Sequence, residues 1–173
     1  MAGSLIKIDE EIVTSAVASV DLGGANWDSS YNVYKITVNG YIPATDAADL
    51  RARVLESSVA NSTANYDRSF KALRSDTTFS NQSNVNETYY DLTTAVGNDT
   101  GEQMNGIIYL FNANNSEFTF ITAENVQISH TALLIGNQGG AVFTSASQVN
   151  GLQFFPSTGN IDSGTFTLYG LKK

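Results

Sequence analysis

His130 is the only histidine of the 173-residue chain, so any histidine base must be this residue. A Ser-His-Asp triad also needs a presented nucleophile, and the sequence has no Gly-x-Ser-x-Gly motif. Cysteine is absent, which excludes thiolate catalysis, iron–sulfur clusters and cysteine-based zinc sites. His130 follows Ser129 at the end of a predicted strand, and we interpret it as a structural or surface residue.

Carboxylates could hydrolyse glycosidic bonds if two of them stood roughly 5–10 Å apart in a cleft. Most of the acids lie in predicted turns, and only Glu117 and Glu124 lie on or beside a predicted strand. Residues 98–102 offer oxygen ligands of the kind that Ca²⁺ prefers, but they lack the full spacing of a calcium loop. We therefore predict a non-enzymatic protein with no catalytic residues, no metal and no cofactor.

Aromatic residues in or next to polar stretches are the feature that most suggests binding. Such rings, with amide and carboxylate neighbours, bind sugar rings or anchor protein interfaces. Rings that cap the ends of a core leave the same pattern, so that alternative stays open. The candidate glycan or partner contacts are Trp27, Tyr31, Tyr41, Tyr89 and Tyr90.

The charge of the chain argues against nucleic acid as a partner. There are 17 Asp and Glu against 9 Lys and Arg, which gives a formal net charge of −8. Domains that bind nucleic acid present a clustered basic face instead. The longest apolar runs, such as residues 107–111, are far shorter than the roughly 20 residues of a membrane span, so we expect no membrane partner either.

Alternation of apolar and polar residues recurs in short segments between Gly, Asn, Asp and Ser clusters. This pattern predicts an all-β, single-domain antiparallel β-sandwich, jelly-roll-like, with eight to ten strands. In residues 31–38 it places Tyr34, Ile36 and Val38 on the core face. The other predicted strands are residues 5–8, 17–22, 66–72, 107–111, 118–123, 126–129, 141–143, 152–155 and 165–169.

Residues 45–56 are ambiguous between a strand and a short helix, because they include good helix formers. We favour a strand, since buried-type residues alternate there with Arg51 and Arg53. The dipeptide Asn39-Gly40 predicts a turn, and residues 137–140 predict a hairpin turn or a bulge. Residues 57–65 and 75–88 are interpreted as exposed loops.

Parts of the chain resemble small virion surface proteins and fibre-tip domains of tailed bacteriophages, notably those of marine and cyanobacterial hosts. The resemblance lies in residues 34–46 leading into 50–54, in 106–112 and in 151–170, and so spans most of residues 31–170. It is a pattern of turns and strands without a catalytic signature, so no active-site residue is carried over. It implies a jelly-roll-like sandwich that assembles, often as trimers, on the particle surface.

We therefore expect a capsid decoration protein on the virion surface, folded in the host cytoplasm, homotrimeric, and bound to the major capsid protein or other virion proteins. The absence of cysteine agrees with folding in a reducing compartment. Residues 1–11 are predicted to be an N-terminal contact segment and 12–173 the sandwich domain. The alternative is a tail-fibre or tail-tip module that binds a receptor or host surface glycan; glycan hydrolysis ranks last. The candidate capsid contacts are Lys7, Asp9, Glu10 and Glu11.

Overall fold

A computed structural model describes residues 4–172 and confirms the all-β fold class: two antiparallel sheets face each other as a sandwich. The described residues form thirteen strands, more than the eight to ten predicted, and one 3₁₀ turn at Gly24–Asn26. No helix among them is long and apolar enough to cross a membrane. The strands are β1 (Ser4–Val13), β2 (Val20–Gly23), β3 (Val33–Pro43), β4 (Leu50–Glu56), β5 (Val59–Ala60), β6 (Tyr66–Arg74), β7 (Phe79–Glu87), β8 (Tyr90–Asp91), β9 (Met104–Phe111), β10 (Thr119–Ile128), β11 (Leu134–Phe143), β12 (Gly151–Pro156) and β13 (Ile161–Lys172).

The two sheets differ in width. The large sheet has eight strands in the order β1-β13-β3-β9-β10-β11-β6-β7, so β1 and β7 are its edges. The small sheet has the order β2-β12-β4-β5, and β8 also pairs with β4. The described part of the predicted N-terminal segment is not separate from the sandwich, because residues 4–11 lie in β1 and pair with β13.

The core fills the space between the sheets and follows the predicted alternation. Tyr34, Ile36 and Val38 of β3 point inward and are 0–1% exposed. Residues 50–56 form strand β4, as favoured, with Leu50 and Val54 buried and the two arginines on the opposite, wetter face. Because both sheets contribute alternate residues to one core, the sandwich is held by side chains far apart in sequence.

The prediction of an exposed loop at residues 75–88 is wrong, because Phe79–Glu87 form strand β7. This strand pairs only with β6 and has no fully buried residue. An edge strand that is wet on both faces does not need apolar alternation, so its sequence resembles a loop. The segment 57–65, by contrast, contains only the two-residue strand β5.

Both turn predictions are also wrong. Gly40 adopts a φ of 63° within the continuous strand β3, where the register shifts between Val38 and Tyr41. Residues 137–140 lie in the middle of β11, and the two predicted strands at 118–129 are the single strand β10. Gly139 is needed there because a Cβ would overlap the carbonyl oxygen of Ser69 and the ring of Phe70 on the neighbouring strand.

Replacement of Gly139 by alanine is expected to destabilise the fold by about 1–3 kcal/mol, since the added methyl group overlaps backbone that cannot move without breaking the β6–β11 ladder. Gly136→Ala on the same strand is the matched control, because its Cβ meets no atom closer than 3.9 Å. Urea unfolding of both variants measures the difference. Equal unfolding free energies would contradict the close approach at Gly139.

Candidate functional site

Trp27 and Tyr31 lie in a packed cluster at one end of the sandwich. The Trp27 indole stacks on Tyr34 with ring centroids 3.9 Å apart, and its Nε1 donates a hydrogen bond of 2.9 Å to Oδ1 of Asn114. Nδ2 of Asn114 donates to the carbonyl oxygens of Ser29 and Tyr31. The Tyr31 ring meets Tyr34 edge-on at 6.1 Å. The two predicted contact residues are therefore half-buried and pin the segment before β3 to the β9–β10 turn.

Tyr41 and Tyr90 have no exposed surface, so their prediction as glycan or partner contacts has to be corrected. Gly40 shifts the register of β3 and turns Tyr41 into the core, while Tyr90 on β8 lies opposite Ala52 of β4. Burial raises the pKa of both phenols, because the charged form loses its hydration. Both rings are neutral core residues.

Tyr89 lies apart from the other aromatic candidates, on the outer face of the small sheet. The guanidinium of Arg51 lies 4.0 Å from its ring centroid, and Phe155 meets it edge-on at 6.2 Å. Arg53 covers Phe155 in turn, at 4.4 Å. Alternating rings and guanidinium groups stabilise each other by cation–π attraction. Tyr89 is half-exposed, and a partner contact there stays a prediction.

Asp91 links the small sheet to the large sheet through one arginine on each. One carboxylate oxygen accepts a hydrogen bond of 2.7 Å from Nε of Arg51 on β4, and the other forms an ion pair with a terminal nitrogen of Arg68 on β6, also at 2.7 Å. Asp91 and Arg68 have only 10% and 8% of their side-chain surface exposed. A buried cation held by a single carboxylate is costly when that carboxylate is removed. Asp91 therefore has a structural role that the sequence pattern did not indicate.

The four candidate capsid contacts lie on β1, where they differ in availability. Lys7 pairs with Glu10 at 2.9 Å on the surface. Asp9 is occupied inside the molecule, because its carboxylate accepts from the main-chain N–H of Gly23 and from Asn26. Glu11 is exposed. An exposed pair such as Lys7–Glu10 orients a partner more than it adds affinity.

The remaining candidates for catalysis or metal binding do not form a common site. Glu117 and His130 are exposed in turns, while Glu124 lies on β10 and binds Gln138. Glu102 is buried, and its carboxylate accepts from the main-chain N–H of Asp99, which accounts for the geometry of the suspected calcium loop. Within residues 4–172, no group of three or more metal-ligating side chains is close enough to hold an ion.

The outer face of the large sheet carries a feature that the sequence analysis missed. Three depressions follow one another diagonally across β6, β11, β10, β9 and β3, and we call them together the trough. Adjacent depressions share Thr122, and then Ile107 and Glu124. Gly140 has no side chain on this face of β11 and leaves a gap there, which one of the depressions occupies. Its other outward side chains are Thr37, Asn39, Asp67, Ser69, Asn105, Tyr109, Phe120, Val126, Gln138 and Val142.

The alternation of β9 and β10 does contain a signal for this face. Once Ile108, Leu110, Ile121 and Ala123 are placed in the core, the residues between them must point outward. The sequence predicts only residues 141–143 of β11 as a strand, because the glycines before them have the composition of a turn, so most of the strand that forms the floor of the trough is missed.

Comparison of the chain with models of known protein families gives no match, and comparison with curated protein sequences gives none at a significant level. The resemblance to virion proteins therefore has no support from these comparisons.

Replacing Asn114 with alanine is expected to loosen the Trp27 cluster, with a loss of about 1–3 kcal/mol, because the indole N–H and two carbonyl groups lose their partner. Trp27 is the only tryptophan, so its fluorescence emission reports the change directly and should shift to the red. Asn115→Ala, at the exposed next position, is the control. An unshifted spectrum in Asn114→Ala would show that the hydrogen bond does not hold the ring.

Asp91→Asn is expected to lower the free energy of unfolding by about 3–5 kcal/mol, because the buried Arg68 guanidinium is left without a counter-charge. Asp76→Asn is the matched control, since the exposed Arg74–Asp76 pair is 3.7 Å apart and should contribute little. Guanidinium unfolding of both variants tests this. A loss no larger than that of the control would show that the ion pair between the sheets is dispensable.

Proposed function

We propose that the chain is a non-enzymatic structural protein of a tailed-bacteriophage particle and decorates the outside of the capsid shell as a homotrimer bound to the major capsid protein. It folds in the host bacterial cytoplasm and works on the virion surface. The resemblance of residues 34–54, 106–112 and 151–170 to virion proteins is the reason for assigning the chain to a bacteriophage particle. The distribution of exposed apolar side chains on the large sheet supports assembly.

Of the twelve large apolar side chains that are exposed in residues 4–172, five lie on the edge strands β1 and β7, and Leu171, Leu73 and Leu134 lie one or two strands further in. We call Leu5, Ile6, Ile12 and Leu171 the β1-edge patch, and Leu73, Phe79, Val85 and Leu134 the β7-edge patch. Within the two patches Ile12, Phe79 and Val85 are the most exposed, at 61–66%. Unpaired edge strands with apolar side chains are sites where another chain is added to a sheet. This concentration is the observation that carries the proposal.

The charges disfavour contact between two β1 edges. Strand β1 carries Lys7 against Asp9, Glu10 and Glu11, a net charge of −2, whereas the three basic and three acidic residues of the β6–β7 hairpin balance. Two β1 edges brought together would place acids against acids. When the β1-edge patch of one copy meets the β7-edge patch of the next, the contact is heterologous, and such contacts close into a ring when the rotation between copies divides a full turn. The proposed trimer corresponds to a rotation of about 120° between copies.

Sedimentation equilibrium of the purified chain should show a trimer, and Ile12→Ser and Phe79→Ser should each shift it toward monomer, because each removes apolar area from one side of the same contact. Val126→Ser is the control, since this residue is 46% exposed but lies in the middle of the large sheet. A monomeric wild-type chain, or dissociation by Val126→Ser alone, would contradict assembly through the edges.

The place on the particle is tested by the copy number of the chain in purified virions, measured by gel densitometry. Decoration of a symmetric shell requires on the order of tens to hundreds of copies, and fewer than about a dozen would instead indicate a tail component.

A further inference from the structure

The trough on the outer face of the large sheet is open to solvent, lies between the two edge patches, and contributes to neither. From its lining we infer a second, separate site: a surface that binds a neutral glycan chain. This inference does not depend on the capsid location or on the trimer.

The middle of the trough combines a ring with paired polar groups. Tyr109 of β9 is half-exposed, and beside it Gln138 of β11 donates a hydrogen bond of 2.6 Å to Oε1 of Glu124 on β10. One aromatic face, with adjoining carboxylate and amide groups, matches a pyranose ring, which has C–H groups on its faces and hydroxyl groups at its rim. Thr122 of β10 pairs with Tyr109 and is the next outward-facing residue on that strand after Glu124, so it adds a hydroxyl group to the lining.

The two flanking depressions extend this chemistry in both directions. On one side Phe120, 47% exposed, and Ser69 line the depression above Gly140. On the other side Asn39, Asn105 and Thr37 supply amide and hydroxyl groups. An open trough that continues across five strands suits a linear polymer better than a single small molecule, which is normally enclosed by its pocket.

The charge of the lining selects the class of glycan. The carboxylates of Glu124 and Asp67 line the trough, while Lys71 of β6, opposite Gln138, and Lys35 of β3, whose Nζ lies over the Tyr109 ring at 6.0 Å, stand beside it. Arg68, which also borders the trough, is paired with Asp91. The two acids and the two lysines balance, so the trough offers no basic cluster to a sulfated or uronic acid polymer, and the ligand is a neutral glycan.

The site differs from the glycan contacts that the loop aromatics suggested. Trp27, Tyr31, Tyr41 and Tyr90 pack inside the molecule or at its end, whereas Tyr109 and Phe120 project from the outer face of the central strands β9 and β10. Binding groups on strands lose little conformational freedom when a ligand binds.

The experiment is affinity electrophoresis of the full chain in gels that contain dextran, mannan, galactan or soluble chitin oligosaccharides, with dextran sulfate as the polyanion. We expect retardation by at least one neutral glycan and none by dextran sulfate beyond an empty gel. Tyr109→Ala and Glu124→Gln should each weaken that affinity about tenfold or more, because they remove the ring and the charged acceptor of the central depression. Tyr169→Ala and Glu117→Gln are matched controls outside the trough and should bind as the wild type does.

Retardation by none of the neutral glycans, retardation by dextran sulfate alone, or equal losses in the trough and control variants would each overturn the inference. A further decisive outcome comes from sedimentation of Tyr109→Ala. If this variant is monomeric where the wild type is a trimer, the face is covered by a second copy and not by a glycan. Circular dichroism of each variant excludes a general loss of folding.

Discussion

The burial of the inner faces of two sheets of unequal width is the constraint on which the other features of this molecule depend. The large sheet has eight strands, whereas the small sheet is effectively four strands wide, because β5 and β8 share one side of β4. With neighbouring strands about 4.8 Å apart, the large sheet extends about 19 Å beyond its partner. The chain must therefore cover part of an inner face without a strand opposite it.

That cover comes from residues 88–102, which pack between the sheets near β6 and β10. Leu92 and Val96 fill the gap with apolar surface, while Nδ2 of Asn125 donates to the carbonyl oxygen of Leu92. The Arg68–Asp91 ion pair is part of the same cover, because it joins β6 to β8 where the small sheet ends. An ion pair in this place adds directional specificity that apolar packing alone does not supply. The part of the inner face that has no strand opposite it is therefore covered by hydrogen bonds and an ion pair as well as by apolar packing.

In a two-layer sandwich the outer face of the large sheet is uncovered, as are its two edge strands, and the two proposed roles use different parts of that surface. The two lateral sides carry exposed large apolar side chains, which suits contact between copies. The middle carries small, polar and aromatic groups around Gly140, which suits a flexible polar polymer. Association through the edges would leave the middle accessible, so an assembled ring would present several troughs together.

Local patterns succeeded wherever burial was one-sided. Strand β3 and strand β4 were recognised because every second residue has to face the core, and the same rule correctly separated Leu50 and Val54 from the arginines beside them. The rule does not apply to β7, whose residues face water on both sides, so its polar sequence resembles a loop. Gly40 and Gly139 are residues typical of turns, yet both lie in the middle of strands. Gly40 is required by a register shift, and Gly139 by the close approach of the neighbouring strand.

The sequence by itself determined the fold class, the direction of most side chains in the central strands, and the absence of thiol and multi-histidine chemistry, because these follow from composition and from a period of two along the chain. Only the tertiary structure decided which aromatic residues are buried, which face of the sheet carries Tyr109 beside Glu124, and how Asp91 reaches Arg68. These features depend on strand order and register, which join residues distant in sequence, and no local pattern specifies them.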